Sequence, residues 1–322
     1  MYDLKLWQFI ADRLAAGETA ALLVVVDADH ETPGKPGFKL AVATDGELRG
    51  TIGGGALEHE LVETARRMLA DGETRTQLVR RVLRDTDDPE AGDMICGGNV
   101  SVAVVPLHPG RMSVIASIAA HWRERRPGRF SLSPDGIAFA PKGAAHRDPA
   151  FRRTTADTWH YEERLGTTDT VYIVGGGHVG LALSRVLAIL DLRIVVLDER
   201  PDVGTMRDNT SAHAKLTVPF SETGKHIPDG NDVYVIIATP GHRADETVLR
   251  QLARRDLRYV GMMGSRNKVR EIMSHLRADG FDEATLARVH SPIGLPIHSH
   301  TAGEIAVSIA AELVQVRNRP ES

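Results

Sequence analysis

Val171-Tyr-Ile-Val-Gly-Gly-Gly-His-Val-Gly180 decides how the second half of this 322-residue chain folds. An apolar, strand-like run enters Gly175-x-Gly177-x-x-Gly180, and a helix-like run from Leu181 to Leu190 leaves it. A second apolar run, Arg193-Ile-Val-Val-Leu-Asp198, follows and ends in an acid. Each part has a mechanical reason. The glycines allow a tight turn and a close approach of backbone to a pyrophosphate, and the helix start offers unpaired N–H groups. An acid about 20 residues on can accept from a ribose hydroxyl. A lone glycine pattern is weak; strand, glycines, helix, strand and acid in this order are much stronger.

The same alternation continues toward the C-terminus. Strands are predicted at Asp232–Ala238 and Arg258–Gly261, and helices near 244–254 and 265–278. The last helix starts at Thr301-Ala-Gly-Glu304, a capping-box spacing, and buries Ile305, Ile309 and Leu313. Residues 169–322 therefore read as a Rossmann-like, doubly wound parallel sheet. Toward the N-terminus, Leu6, Phe9, Ile10 and Leu14 recur at helical spacing within 3–16. Strands follow at 20–27 and 38–43, with a turn at Thr44-Asp-Gly46. Gly53-Gly-Gly55 opens a helix with Leu57, Leu61, Ala65, Met68 and Leu69 on its inner face. Strands at about 75–84 and 98–106, a helix at 111–123 and a strand near 129–140 complete a smaller α/β domain over 1–150, and 151–168 reads as a linker. The fold class is α/β.

Apolar residues make up 42% of the chain and charged ones 25%, as in ordinary globular proteins. A net charge of -4 gives no basic footprint for nucleic acid. No apolar run approaches the ~20 residues that cross a bilayer, and Met1-Tyr-Asp-Leu does not begin a signal peptide. The single cysteine, Cys96, excludes an internal disulfide and a multi-cysteine zinc site. A cytoplasmic protein without nucleic-acid or membrane partners is the simplest reading.

Open parallel sheets bind ligands beyond the carboxyl ends of their strands. Gly175–Gly180, Asp198-Glu-Arg200, Thr239-Pro-Gly-His242 with Asp245, and Gly261-Met-Met-Gly-Ser-Arg-Asn-Lys268 are placed there. Ser265 falls at a helix start beside Arg266 and Lys268, which reads equally as an anion pocket or as an N-cap with solvated charges. His242 reads as a general acid or ligand donor, or more commonly as a plain loop histidine. Asp198 favours a free 2′-hydroxyl and hence an NAD-like nucleotide; Arg200 weakens that preference. In the first half, Gly53-Gly54-Gly55-Ala-Leu-Glu58 is a glycine loop feeding a helix. It reads as a phosphate loop or as a tight turn in which Glu58 complements the helix dipole. Cys96 precedes Gly97 and Gly98. Free cysteines are usually small buried hydrophobes, but glycines beside one let a bulky ligand approach, and a thiolate suits a soft metal or sulfur transfer.

These motifs together resemble the XdhC/CoxI family, accessory proteins for molybdenum-containing hydroxylases. The resemblance rests on Gly50-Thr-Ile-Gly-Gly-Gly-Ala-Leu-Glu58, Cys96-Gly-Gly98, Val174-Gly-Gly-Gly-His-Val-Gly180, Ala238-Thr-Pro-Gly-His242, Gly261-Met-Met-Gly-Ser-Arg266, and His290-Ser-Pro-Ile-Gly-Leu295 with Glu304-Ile-Ala-Val-Ser-Ile309. It spans nearly the whole chain in the family's order, leaving about 107–165 unmarked. It implies a chaperone rather than a turnover enzyme. Such a protein would bind the molybdenum cofactor (molybdopterin), protect it while its terminal sulfur is installed, and deliver it to a client such as xanthine dehydrogenase. A cysteine desulfurase is a further partner on this view, and a homodimer the favoured assembly. The cofactor-binding candidates are then Gly53, Gly54, Gly55, Glu58, Cys96, Gly97 and Gly98, together with Gly175, Gly177, His178, Gly180, Asp198, His242, Ser265 and Arg266. Cys96 is the metal contact. Some relatives carry a cysteine near the first glycine motif, or a pair before Gly-Gly, where this chain has Ala56 and Ile95. That departure leaves binding and protection as safer expectations than sulfur transfer. The alternative is an NAD-dependent oxidoreductase with His242 as proton donor, although spacing alone assembles no acid/base constellation for it.

Overall fold

In β1 (Ala20–Ala28), Leu22, Val24 and Val26 point to one side and Ala21, Leu23 and Val25 to the other, and all are buried. A strand buried on both sides belongs in the middle of a covered sheet. The computed structural model, which describes residues 2–29, 32–83, 98–141, 149–155, 157–166, 169–190 and 192–319, places it there. The chain divides into two units, Met1–Thr167 and Thr168–Ser322.

In the first unit, α1 (Tyr2–Ala15) leads into β1, followed by β2 (Lys39–Ala43), β3 (Leu48–Gly50), α2 (Gly55–Ala70), β4 (Gln77–Leu83), β5 (Gly98–Leu107) and α3 (Met112–Glu124). The strands form an antiparallel sheet in the order β3-β2-β1-β5-β4. Leu57, Leu61, Ala65 and Met68 of α2 cover one face; Leu6, Trp7 and Ile10 of α1 with Ile115 and Ile118 of α3 cover the other. Each fully buried Leu or Ile contributes roughly 1.5–3 kcal/mol.

A second antiparallel sheet, absent from the sequence reading, completes this unit. It contains β6 (Gly128–Ser133), β7 (Gly136–Ala140), β8 (Ala150–Arg153) and β9 (Trp159–Leu165), in the order β7-β6-β9-β8. The single strand expected near 129–140 is thus a hairpin, and the segment expected to be a linker at 151–168 carries strand residues. Trp159, Tyr161, Glu163 and Leu165 face inward, while His160, Glu162 and Arg164 alternate with them. Phe130 meets Trp7 edge to face, with ring centroids 5.5 Å apart. The two sheets are also joined by a buried ion pair, Lys39 Nζ to Glu163 Oε1 at 2.8 Å.

The second unit runs β10 (Thr170–Val174), α4 (His178–Ala188), β11 (Arg193–Asp198), α5 (Gly204–Arg207), β12 (Ala214–Thr217), β13 (Gly230–Ile237), α6 (His242–Leu252), β14 (Leu257–Met262), α7 (Arg266–Ala278), α8 (Glu283–Ala287), β15 (Val289–His290) and α9 (Ala302–Arg317). All strands are parallel, in the order β12-β11-β10-β13-β14-β15. Numbered within this unit that order is 3-2-1-4-5-6, the arrangement of dinucleotide-binding doubly wound sheets. Leu183 and Leu187 of α4 with Ile309 and Leu313 of α9 cover one face, and Val248, Leu249, Ile272 and Leu276 of α6 and α7 cover the other. Thr301 and Glu304 form the expected capping box of α9. Strand order reverses between β10 and β13, and a crevice opens there. Among the described residues no helix is long and apolar enough to cross a membrane.

Candidate functional site

The three fingerprint glycines of the second unit are required for three different reasons. Gly175 has φ +126°, and a Cβ there would lie 2.1 Å from the Ala238 carbonyl oxygen. A Cβ on Gly180 would lie 2.3 Å from the Gly175 carbonyl oxygen, so this glycine lets α4 pack on the turn. Gly177 meets nothing within 4 Å. It is the N-cap of α4 and offers no side-chain hydrogen bond, so the first-turn N–H groups lack a side-chain cap. Turn, ligand approach and helix packing are the roles this fingerprint assigns in order.

A cleft of about 420 Å³ opens beside this turn at the carboxyl ends of β10, β13 and β14. Gly177, His178, Gly180, Thr239, Ser265 and Lys268 are among its lining residues. Its cation is held by a group outside the lining. Asp245, wholly buried in α6, accepts from Lys268 Nζ through Oδ2, and through Oδ1 from the Thr239 hydroxyl at 2.6 Å and the Thr239 N–H at 3.0 Å. One carboxylate thereby positions two cleft-wall groups. Sequence reading placed Asp245 in the right loop but could not assign it this role, since an acid in a first helical turn ordinarily complements the dipole. Ser265 caps α7, accepting from the Lys268 N–H at 3.4 Å, and also lines the cleft beside Lys268. Arg266 and His242 are exposed and are not among the residues lining the cleft; His178 is exposed but lines it.

Asp198 ends β11 as expected, but its acceptor positions are taken. Oδ1 receives the Arg200 N–H at 3.0 Å and Nε at 2.9 Å; Oδ2 receives Arg200 Nη2 at 2.8 Å and the Gly176 N–H at 2.8 Å. A carboxylate has about four acceptor sites, so none remains for the ribose hydroxyl expected there. Burial alone would raise its pKa, but these bonds hold it below the usual aspartate range.

In the first unit, Glu58 Oε2 accepts from the Thr51 hydroxyl at 2.6 Å, the Ile52 N–H at 2.9 Å and the Gly54 N–H at 3.0 Å. The Gly53 N–H donates to Thr51 Oγ1 at 3.0 Å. Glu58 thus ties the loop internally, and the N–H groups of Gly53 and Gly54, which the sequence offers to a phosphate, are engaged within it. A Cβ on Gly53 would lie 2.6 Å from the Gly34 nitrogen, and one on Gly98 would lie 3.1 Å from Thr32 Cγ2. Both glycine motifs of this unit therefore converge on the segment Thr32–Gly34, which the sequence did not mark. Gly55 opens α2 and is exposed. Cys96 and Gly97 lie outside the described residues. Among the described residues no group of three or more His, Cys, Asp or Glu is gathered as for a metal ion.

Fold and loop geometry together define a two-unit α/β protein with a dinucleotide-type Rossmann domain. The XdhC Rossmann domain model matches residues 171–313, and the XdhC and CoxI family model matches residues 13–81. The chain belongs to the XdhC/CoxI family. It is 26% identical over 299 residues to the uncharacterized protein YqeB of Escherichia coli (strain K12), covering 92% of this chain but only 43% of that protein's length. It is 24% identical over 328 residues to a Bacillus subtilis (strain 168) protein named as a probable xanthine dehydrogenase subunit, covering 94% of each. A crystal structure from Bacillus halodurans, described as a xanthine dehydrogenase, superposes with a TM-score of 0.76 at 21% identity, covering 100% of this chain and 97% of that one. That likeness establishes the shared fold.

Proposed function

We propose that this chain is an accessory protein of a molybdenum hydroxylase, xanthine dehydrogenase being the favoured client, and that it binds and protects the molybdenum cofactor before delivery. The observation carrying this reading is the uncapped start of α4 beside the open Gly177, facing a cleft whose wall holds the Lys268 ammonium. Molybdopterin bears a phosphate. Helix-start N–H groups and one positioned cation suit a phosphate, and about 420 Å³ lies within the range of small-molecule sites. First-turn N–H groups of α4 and Lys268 would hold the phosphate end, with the Thr239 hydroxyl beside them. The bound group supplies the molybdenum and dithiolene chemistry; these residues orient and shield it. The B. subtilis relative's name supports the choice of client. Contact by Cys96, a cysteine desulfurase partner, a homodimeric assembly and a cytoplasmic location belong to the same proposal.

The NAD-dependent alternative is weaker, because Asp198 would have to release Arg200 or Gly176 before accepting from a ribose. Binding experiments separate the two. Purified protein titrated with molybdopterin, followed by pterin fluorescence, should saturate, and Lys268→Gln should weaken binding about tenfold through loss of one charge-assisted contact. Tight NADH binding with no retention of pterin would overturn the proposal. Equal pterin affinity in Lys268→Gln and Gly177→Ala would move the cofactor away from this cleft.

A further inference from the structure

His290-Ser-Pro-Ile-Gly-Leu295 contributes nothing to the lining of the cleft at the carboxyl ends of the strands. It serves a different place. His290 Nδ1 bonds Glu312 Oε1 of α9 at 2.7 Å, while Glu312 Oε2 accepts from the Tyr259 hydroxyl at 2.7 Å and the Gly294 N–H at 2.6 Å. Burial alone would raise the Glu312 pKa, but these bonds hold it below the usual glutamate range. Glu312 is therefore an ionised, acceptor-only group, and the proton in its bond to His290 belongs to Nδ1. The second ring nitrogen, Nε2, has no hydrogen-bond partner among the described residues. A fixed imidazole with one unused nitrogen results.

That imidazole lines a concavity of about 550 Å³ together with Arg255, Arg258, Arg288 and Arg319. Its origin is the shortness of β15, which pairs with β14 only at Val260 and Gly261 and leaves the amino-terminal half of β14 as an open wall. This is the opposite end of β14 from Met263 and Ser265 of the first cleft. Arg255 is paired with Asp229 at 2.7 Å. Arg258 Nη2 donates to the carbonyls of Val316 and Arg319, and Arg288 Nη2 to those of Arg255 and Leu257. Among the described residues no carboxylate pairs with Arg258, Arg288 or Arg319, and Arg258 Nε is buried without a partner. Guanidinium groups cannot discharge by losing a proton. Three of them facing one hollow, in a chain of net charge -4, concentrate a positive field that an anion relieves.

We propose that this hollow at the amino end of β14 is a second anion site, which takes a phosphate group between Arg288, Arg319 and Arg258, with the His290 ring on the wall beside it. A phosphate suits it better than a carboxylate, since it brings about two negative charges and three acceptor oxygens to several guanidinium forks. Inorganic phosphate and a phosphate monoester share this chemistry, and separate titrations distinguish them.

The test uses the full chain in the Lys268→Gln background, which weakens the first cleft. The imidazole resonances of His290, assigned by their loss in His290→Gln, are followed while inorganic phosphate and, separately, glycerol 3-phosphate are added. Saturable movement with either probe is the expected result, and the tighter probe names the source. Arg288→Gln/Arg319→Gln alters exposed side chains and should raise the apparent Kd by about tenfold or more while leaving the unfolding midpoint near that of the parent. His290 resonances unmoved by both probes would overturn the proposal. So would unchanged affinity in the double arginine variant.

Discussion

Arg200 grips Asp198 with both arms of its guanidinium, Nε to Oδ1 at 2.9 Å and Nη2 to Oδ2 at 2.8 Å. The pair closes over the turn that the Gly176 N–H completes, so the acid that ends β11 serves to anchor the glycine loop. A residue two positions from the acid thus changes its role from ligand acceptor to structural clamp.

Asp198→Asn removes the charge while keeping the shape, and it turns an amide donor toward Arg200 or Gly176. The cost expected in urea unfolding is about 2 kcal/mol, below the 3–5 of a fully buried pair because Arg200 is partly open to solvent. The pH dependence has a definite sign. A carboxyl whose folded pKa lies below its unfolded value stabilises above roughly pH 4, and that contribution is lost as pH falls toward the folded pKa. The wild type should therefore lose stability on acidification more steeply than Asp198→Asn; parallel acid limbs would contradict this.

The glycines of the fingerprint should separate on alanine substitution. Gly175→Ala and Gly180→Ala press a Cβ against carbonyl oxygens at 2.1 and 2.3 Å. Each should cost at least ~2 kcal/mol by thermal unfolding. Gly177→Ala enters open space at φ -73° and should stay within about 0.5 kcal/mol of wild type, while weakening any anion held at the start of α4. A large loss of stability in Gly177→Ala would refute the assignment of roles.

Glu58→Ala leaves Ile52 N–H, Gly54 N–H and the Thr51 hydroxyl without their acceptor. A loss of about 1–2 kcal/mol is expected. Hydrogen exchange gives the sharper measurement: the Ile52 and Gly54 amides should lose protection first, with amides in the middle of β1 unaffected.

Lys39→Met leaves Glu163 as a buried carboxyl without its cation, which should destabilise the first unit by about 3–5 kcal/mol. Adding Glu163→Leu should restore most of that loss, because two apolar side chains need no partner. If the double variant is as unstable as the single in denaturant titrations, the pair contributes something other than mutual neutralisation.

The four central strands of the parallel sheet, β11, β10, β13 and β14, were legible because they are apolar runs buried in the sheet, whereas half-exposed β12 and the two-residue β15 were not marked; the glycine roles follow from backbone sterics that act over a few residues. The four-stranded sheet of the first unit was not. In β9 the buried Trp159, Tyr161, Glu163 and Leu165 alternate with charged neighbours, and one inward position is itself a glutamate whose lysine lies more than a hundred residues away. Periodicity read without knowledge of Lys39 gives no reason to bury that position.

The same division holds for the candidate sites. Residue order alone determined the four central strands of the Rossmann half, its glycine turn and the capping of α9, since each depends on short-range geometry and on apolar spacing. Only the folded chain decided that Arg200 engages Asp198, that Glu58 occupies its own loop, that Asp245 aims Lys268 and Thr239, and that Glu312 fixes His290. Hydrogen-bond capacity is a property of a residue, but which donor fills it depends on proximity in space, and proximity is what the tertiary structure supplies.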